Sequence, residues 1–235
     1  MPPLPQRAFA EWLGTAFLLA TVIGSGIMAQ KLAAGIGAIA LLCNTLPTGA
    51  ILVVLIIVFG PLSGAHFNPA VTVTFALRGG LTWPTALVYI LAQVFGGVVG
   101  AWVAHLMFEL PLWQLSTTVR TGPGQWLAEG IATFGLVLTI FGCVSQRADA
   151  VPYAVGLYIT AAYWFTASTS FANPAVTIAR SLSDTFAGIA PAGVIAFITA
   201  QFAGALIAVV LARWLWPKGM KIRPTSGKVS SQTTP

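Results

Sequence analysis

The pentapeptide Asn-Pro-Ala-Val-Thr occurs twice, and its asparagines are the side chains best suited to handle a polar solute. The two copies span residues 68–72 and 173–177. Asparagine is a favoured N-cap and proline a favoured first helical residue, so each copy predicts a helix that begins at Asn68 or at Asn173. Each carboxamide could donate to a solute oxygen, while nearby backbone carbonyls could accept the solute's hydrogens. This chemistry suits a neutral, hydroxylated solute that is bound briefly and left unchanged.

Two acidic side chains, Glu11 and Glu129, lie inside long apolar stretches. An acid at membrane depth is costly, so it is usually functional or hydrogen-bonded. His66 lies just before the first Asn-Pro-Ala-Val-Thr pentapeptide, which we call a box, and could face a solute path or be an ordinary packed histidine. His105 is expected at the membrane interface. The sequence contains no His-Glu-x-x-His motif and no serine with a plausible base, so we expect no enzyme activity, no resident metal and no cofactor.

The elements that must position these residues are membrane spans. Of the 235 residues, 57% are hydrophobic and 7% are charged, against about one quarter charged in soluble domains. No nucleic-acid partner is expected, because the net charge of +6 forms no continuous basic stripe. Cys43 and Cys143 lie within apolar runs and are expected to be small buried thiols. Runs long enough to cross roughly 30 Å of hydrocarbon cover residues 8–29, 35–59, 83–107, 125–144, 151–169 and 190–214.

An internal repeat organises these six runs. A Glu-x3-Thr pattern begins at Glu11 and again at Glu129, and a Gln-x2-Gly pattern begins at Gln93 and again at Gln201, with one pentapeptide between each pair. Three matches in the same order predict two copies of one unit. Each copy has three spans, an odd number, so the second must lie inverted relative to the first. The copies cover residues 8–107 and 125–216, joined by a loop over 108–124 and followed by a polar tail over 217–235 that we expect to be disordered.

Each pentapeptide is predicted to begin a half-helix, over residues 69–78 and 174–182. About nine helical residues rise roughly 14 Å, which is half a bilayer. Irregular backbone at that depth is tolerated only when it is buried in protein or faces a watery cavity, so the loops should line a path. The two helix N-termini should meet near the midplane and repel cations. The predicted path-lining or supporting residues, besides the asparagines, Glu11 and Glu129, are Gly64, Ala65, His66, Phe67, Pro69, Ala70, Thr169, Phe171, Ala172, Pro174 and Ala175.

The distribution of basic residues predicts the orientation of the chain in the inner, plasma membrane. Lysines and arginines are enriched in the cytoplasmic loops of membrane proteins. Three bases, Lys31, Arg120 and Arg180, fall on one side, and the other eight fall on the side of the termini. Both termini are therefore expected in the cytoplasm.

Paired Asn-Pro-Ala boxes in an inverted six-span repeat resemble the aquaporin and glycerol-facilitator family over residues 8–215. The resemblance implies an all-α membrane protein that forms one channel domain, with six transmembrane helices and two re-entrant half-helices. It implies a passive channel for water and small uncharged solutes, embedded in the lipid bilayer as a homotetramer. It also implies that Glu11 and Glu129 brace the re-entrant loops by accepting backbone hydrogen bonds, and that His66 lies on the pore side.

The family builds a constriction, its selectivity filter, at fixed offsets from the two boxes. The family usually has an aromatic residue at the first position and an arginine at the last, and this chain has neither. We therefore predict a wide, arginine-free filter that admits glycerol, urea or the neutral hydroxides of arsenic and antimony, as in the arsenic-resistance-associated bacterial members that the chain resembles. The offsets fall on Thr48, Ala161, Ser170 and Val176.

Three alternatives remain open from the sequence. Arg180 could reach the pore if the second half-helix were irregular, and Trp164, Phe165 or Phe171 could narrow the mouth, since the fifth span could be misplaced by one residue. A proton-coupled secondary transporter also uses inverted repeats and broken helices. Such a transporter needs coupling chemistry, and two symmetric glutamates favour passive conduction instead. Small residues that permit close helix packing loosely support the tetramer, namely Gly96, Gly97, Gly100 and Gly204.

Overall fold

A computed structural model describes residues 2–217, and all regular structure in that range is helical. The all-α prediction is confirmed. The predicted disorder of the tail falls, beyond Pro217, outside the described residues. A single 3-10 turn, Ala148–Ala150, precedes the sixth α-helix. The helices are α1 Leu4–Leu32, α2 Gly37–Ser63, α3 Pro69–Leu77, α4 Trp83–Met107, α5 Pro123–Gln146, α6 Val151–Phe165, α7 Pro174–Ser181 and α8 Pro191–Leu215.

Five of these helices, α1, α2, α4, α5 and α8, are long and apolar enough to cross a membrane. The helix in the predicted fifth span, α6, has 15 residues, which rise only about 22 Å. It ends early because Thr166 leaves helical geometry, with φ −109° and ψ 136°. The chain then continues as irregular backbone to the second box.

The two repeats pack in the same way, with α1 against α4 and α5 against α8. Glycines permit both crossings, because a Cβ added at Gly96 would lie 2.2 Å from the carbonyl oxygen of Trp12, and one at Gly204 would lie 2.0 Å from that of Gly130. Neither position can hold a side chain without moving a helix. Gly97 and Gly100 also face α7 and α1 of the same chain. These four glycines therefore serve intramolecular packing and give no support to a tetramer.

The outer surface of the bundle is apolar, and α2 illustrates this. Leu42, Leu46 and Val54 are among its exposed side chains, as suits a helix surrounded by lipid. Cys43 is also exposed and Cys143 is half-buried, so the prediction of two buried thiols is wrong for Cys43. Its sulfur lies on the outward face of α2, which an apolar sequence alone does not distinguish from the core.

Candidate functional site: a solute path between two half-helices

The asparagines of the two boxes are joined by crossed hydrogen bonds. Asn68 Nδ2 donates to the carbonyl of Ala172, and Asn173 Nδ2 donates to the carbonyl of Phe67, both at 2.8 Å. Each asparagine thus contacts the loop that precedes the other half-helix. The N-termini of α3 and α7 meet inside the protein, which is the arrangement that the inverted repeat predicts.

Each asparagine also caps its own half-helix. Its side-chain oxygen accepts from the backbone N–H groups of the second and third helical residues, at 2.9 and 3.4 Å for Asn68 and at 2.9 and 3.3 Å for Asn173. The half-helices Pro69–Leu77 and Pro174–Ser181 both end one residue before their predicted bounds. Capping satisfies donors that a buried helix end would otherwise leave unpaired.

The loops before the two boxes have matching strained backbones. A left-handed conformation costs a non-glycine residue about 1–2 kcal/mol. Such residues persist only where the surrounding structure holds them. Positive φ angles occur at equivalent positions, namely Gly64, Ala65 and Phe67 in the first loop and Thr169, Ser170 and Ala172 in the second.

Glu11 supplies the hold on the first loop. Its Oε1 accepts from the Ser63 hydroxyl at 2.6 Å and from the His66 backbone N–H at 3.0 Å. Its Oε2 accepts from the Phe67 backbone N–H at 2.7 Å and from Gln93 Nε2 at 2.8 Å. The side chain is fully buried, and these four donors stabilise its carboxylate.

Glu129 holds the second loop with three donors. Oε1 accepts from the Phe171 backbone N–H at 2.8 Å, and Oε2 accepts from the Ala172 backbone N–H at 2.8 Å and from Gln201 Nε2 at 2.6 Å. Glu129 is also fully buried. Hydrogen bonds to a charged acceptor are stronger than neutral ones, which suits them to fixing strained backbone.

Gln93 and Gln201 connect these braces to the half-helices. The Nε2 of Gln93 also donates to Thr72 Oγ1 at 2.9 Å, and that of Gln201 donates to Thr177 Oγ1 at 2.8 Å. Each glutamine therefore uses its amide hydrogens on a glutamate and on a half-helix threonine. The two repeats share one bracing scheme, from glutamate through glutamine to threonine.

One cavity of about 1460 Å³ lies between the helices and reaches both asparagines. Its polar lining includes the re-entrant loops and Asn68 and Asn173. Its apolar lining includes pairs of helical side chains four residues apart, which share a helix face. These pairs are Leu18 and Val22, Leu52 and Ile56, Leu136 and Ile140, and Val155 and Ile159.

Three of the four predicted filter residues line this cavity. Thr48, Ser170 and Val176 lie on its wall, and each has at most 4% of its surface exposed. Their side chains are small and uncharged. The structure thus brings together the residues that the box offsets select on α2, on the second loop and on α7.

The fourth predicted filter residue, Ala161, does not line the cavity and is exposed on α6. The face of α6 that lines the cavity carries Val155, Ile159 and Tyr163 at four-residue intervals. Two residues are about 200° of helical rotation, so Ala161 points away from Ile159 and Tyr163. The Tyr163 hydroxyl lies 3.4 Å from Thr48 Oγ1. The spacing of apolar and aromatic residues in this span was the signal that could have corrected the offset.

Arg180 also lines the cavity, so the predicted arginine-free filter is not confirmed, and an arginine lies on the cavity wall outside the four offset positions. The helix α7 is regular, with Arg180 four residues, or about 6 Å of rise, beyond Val176. Side chains lean toward the N-terminus of their own helix, so a long arginine covers the preceding turn. Its Nε donates to the carbonyl of Ala187, and its Cζ lies 3.4 Å from the centroid of the Phe171 ring.

The opposite end of the cavity is built around His66. Its Nδ1 lies 3.1 Å from Thr72 Oγ1, and its ring lies 4.5 Å from that of Phe75, centroid to centroid. The Tyr89 ring contacts it edge-on at 5.7 Å, and the Tyr89 hydroxyl donates to the Ser63 carbonyl at 2.9 Å. His66 lines the cavity, where the resemblance placed it.

Loops at the Arg180 end are tied by polar contacts that the sequence did not indicate. His105 is fully buried, with Nε2 2.9 Å from Ser183 Oγ and Nδ1 3.2 Å from the Leu112 carbonyl, and its placement at the membrane interface stays a prediction. Asp184 Oδ1 accepts from the Thr117 backbone N–H and hydroxyl at 2.8 and 2.9 Å. These donors lower the pKa of Asp184. Within residues 2–217, no group of three or more His, Cys, Asp or Glu side chains is placed to hold a metal.

Comparisons with known proteins agree with this geometry. Residues 2–162 match the major intrinsic protein family. Aquaglyceroporin AqpS of Rhizobium meliloti is 55% identical over 232 residues, covering 99% of this chain and 98% of that protein. The glycerol uptake facilitator protein of Streptococcus pneumoniae R6 is 35% identical over 66% of this chain and 72% of its own. The X-ray structure of the aquaglyceroporin from Plasmodium falciparum aligns with a TM-score of 0.71 at 20% identity, covering 92% of this chain and 98% of that one, and shows a shared fold.

Proposed function

The chain belongs to the major intrinsic protein family, whose aquaglyceroporins are membrane channels and not enzymes, and we propose that its solutes include several larger than water. It is a passive channel for water and glycerol-type solutes. The proposed range adds urea and the neutral hydroxides of arsenic and antimony. All of these solutes offer oxygen or nitrogen atoms that exchange hydrogen bonds with a polar wall.

The observation that carries this proposal is the crossed pair of asparagines. Each Nδ2 has two hydrogens, and one of them is used on the carbonyl of the other loop. The second is available to a passing oxygen atom, because both asparagines line the cavity. A solute would lie between these donors and an apolar wall, which matches a small molecule with hydroxyl groups on one side and carbon on the other.

The carboxylates favour passive conduction over proton coupling. Every oxygen of Glu11 and Glu129 accepts at least one hydrogen bond from the chain. A coupled transporter needs a carboxylate that gains and loses a proton during its cycle. Protonating either glutamate would break the brace on a strained loop, so neither is suited to that role.

The filter in this proposal consists of Thr48, Tyr163, Ser170 and Val176. Three of these side chains are small, and the position where the family usually carries an arginine is occupied by a valine. A smaller set of side chains leaves more room for a solute with several heavy atoms. Tyr163 takes the place that the sequence assigned to Ala161, and its hydroxyl adds a hydrogen-bonding group.

Two further parts of the proposal concern assembly and orientation. We propose a homotetramer in the inner membrane with both termini in the cytoplasm, so that the His66 end opens to the cytoplasm and the Arg180 end opens outward. Eight of the eleven lysines and arginines fall on the proposed cytoplasmic side. The mass of the detergent-solubilised protein and protease protection of the C-terminal tail in intact cells test the two parts separately.

Stopped-flow light scattering on proteoliposomes tests the proposed solutes. Water, glycerol, urea and arsenite are compared on one preparation, with and without an imposed proton gradient. We expect all four to equilibrate faster than in empty vesicles, with no response to the gradient. Solute flux that saturates at low concentration and follows the gradient would identify a coupled transporter instead.

Val176→Arg tests the filter within the same assay. An added guanidinium narrows the cavity at that level, so glycerol and urea flux should fall much more than water flux. Val176→Ala is the matched control, because it keeps the site small and uncharged. Equal loss of water and glycerol flux in Val176→Arg would contradict the filter assignment.

A further inference from the structure

Two buried polar atoms on the wall of the cavity have no hydrogen-bond partner in the protein. They are Arg180 Nη1 and Ser170 Oγ, from residues that are 1% and 2% exposed. Both residues line the same cavity as Val176 and Thr48, and we call the part of the wall formed by these four residues the neck. Unpaired buried donors are costly, so this part of the wall is incomplete without an oxygen atom from outside the chain.

The guanidinium of Arg180 is held in place by its other contacts. Nε donates to the Ala187 carbonyl, and the guanidinium plane lies over the Phe171 ring with Cζ 3.4 Å from the ring centroid. Phe171 is itself fixed, because its backbone N–H donates to Glu129 and its ring packs edge-on against Phe197 at 5.3 Å. The free Nη1 is therefore a positioned donor, and binding through it needs little reordering of the side chain.

The positive charge of Arg180 has no carboxylate partner among the described residues. Within residues 2–217, no ion pair involves Arg180. The oxygens of Glu129 are occupied by its own loop and by Gln201. The charge therefore acts on whatever enters the neck.

We propose that Arg180 and Ser170 form a solute-binding subsite in the neck, and that Arg180 supplies there the fixed charge that Val176 does not. The ligand class is a small polyhydroxylated solute, whose oxygen lone pairs accept from Arg180 Nη1 and Ser170 Oγ. Monovalent cations are excluded by the same charge. This inference rests on the proposed channel function and names two specificity-determining residues, one of which lies outside the box-offset positions.

The test compares two solutes of similar size that differ in oxygen atoms, glycerol and 1,3-propanediol, on proteoliposomes of the full chain. A change in pore width alters both fluxes together, so their ratio isolates hydrogen bonding. Replacing Arg180 by glutamine should lower the glycerol preference about tenfold, as expected for losing one hydrogen bond to a charged group. The same variant should raise the leak of sodium ions, measured with a fluorescent indicator inside the vesicles.

Further variants separate the charge from the hydrogen bond. Arg180→Lys should keep sodium excluded but lose part of the glycerol preference, because the ammonium lacks the planar fork. Ser170→Ala should lower the preference without any sodium leak, and it removes only a hydroxyl. Ser170→Ala therefore tests the subsite even where Arg180→Gln fails to assemble.

Arg120→Gln is the control for a charge at the same end of the channel. The Arg120 guanidinium lies 5.3 Å from the centroid of the Phe171 ring, but it donates to the carbonyls of Ser168, Phe186 and Gly188. It does not line the cavity, so this variant should keep the wild-type ratio. Unchanged ratio and leak in Arg180→Gln, or an unchanged ratio in Ser170→Ala, would overturn the subsite. A wild-type protein that conducts no solute would contradict the channel proposal itself.

Discussion

The two re-entrant segments share a scaffold and differ in the side chains that they place on the cavity. Two residues before its asparagine the first segment has His66 and the second has Phe171, and seven residues after it they have Phe75 and Arg180. In both segments these two positions stack on one another. The same contact is therefore an imidazole on an aromatic ring at one end and a guanidinium on an aromatic ring at the other.

This comparison separates what builds the channel from what selects its solute. The residues that occur in both repeats, from the glutamates to the pentapeptides, hold the strained loops and cap the half-helices. Both repeats require these interactions to fold. The unmatched residues face the cavity, where each end meets a different environment. Two inverted repeats can therefore share the residues that brace their loops while the two ends of the cavity carry different side chains.

Breaking either glutamate brace should have the largest effect. Glu11→Gln and Glu129→Gln each replace one acceptor oxygen by an NH2 group, which cannot accept the hydrogen bonds that this oxygen accepts. Each variant should therefore lower the free energy of unfolding by about 3 kcal/mol or more. Glu11 should be the more sensitive, because it accepts four hydrogen bonds and Glu129 accepts three. The measurement is the thermal midpoint of the detergent-solubilised protein.

The control for this pair is Glu109→Gln, since Glu109 is exposed in the loop after α4. It should leave the midpoint within error of wild type. A midpoint that is equally unchanged in Glu129→Gln would show that the second loop does not depend on its carboxylate.

The glycine crossings should give the next largest effect. Gly96→Ala and Gly204→Ala each place a Cβ within about 2 Å of a carbonyl oxygen, and overpacking of this kind costs about 1–3 kcal/mol. The two variants should be similarly destabilised, because the crossings are equivalent. Gly37→Ala, where a Cβ meets no atom within 4 Å, is the matched control in the same thermal assay. A tolerated Gly204→Ala beside a damaging Gly96→Ala would show that the second repeat packs more loosely.

Replacing either box asparagine should lower the free energy of unfolding by a smaller amount, which should be equal for the two positions. Asn68→Ala and Asn173→Ala each remove two cap interactions and one bond to the opposite loop. Losing a cap costs about 1–2 kcal/mol, and glycerol flux should fall in both variants. Flux that falls in only one of them would mean that the two half-helices do not contribute equally to the path.

The smallest effect is the pH dependence of a contact that only the second repeat has. Hydrogen bonds from Thr117 lower the pKa of Asp184 in the folded protein, so their stabilisation is present above the ordinary carboxyl pKa and is lost as the pH falls through the lowered value. The protection of the Thr117 amide, which is its exchange rate relative to the intrinsic rate at the same pH, should fall only in acid. Asp184→Asn should remove that pH dependence, and protection that falls identically in this variant would assign the effect to another group.

The symmetric part of the molecule could be predicted from the sequence, and the asymmetric part largely could not. The two Asn-Pro pairs predict where both half-helices begin, because helix capping depends on the local residue types. The residues that occur in both repeats identify the glutamates that brace the loops. Ala161 was misplaced because an offset counted through irregular backbone ignores the helix face that carries Tyr163. Arg180 was expected to reach the pore only from an irregular half-helix, but from a regular α7 its long side chain covers the preceding turn. The burial of His105 depends on loop contacts distant in sequence.

The most direct test of the central claim is glycerol flux in proteoliposomes carrying Val176→Trp, measured beside wild type at equal protein density. The claim is that one continuous path passes Asn68, Asn173 and Val176. A large indole at residue 176 should then bring both glycerol and water flux down to those of empty vesicles, while the thermal midpoint of the protein stays high enough to show folding. Wild-type flux of either solute through the folded variant would contradict a single path.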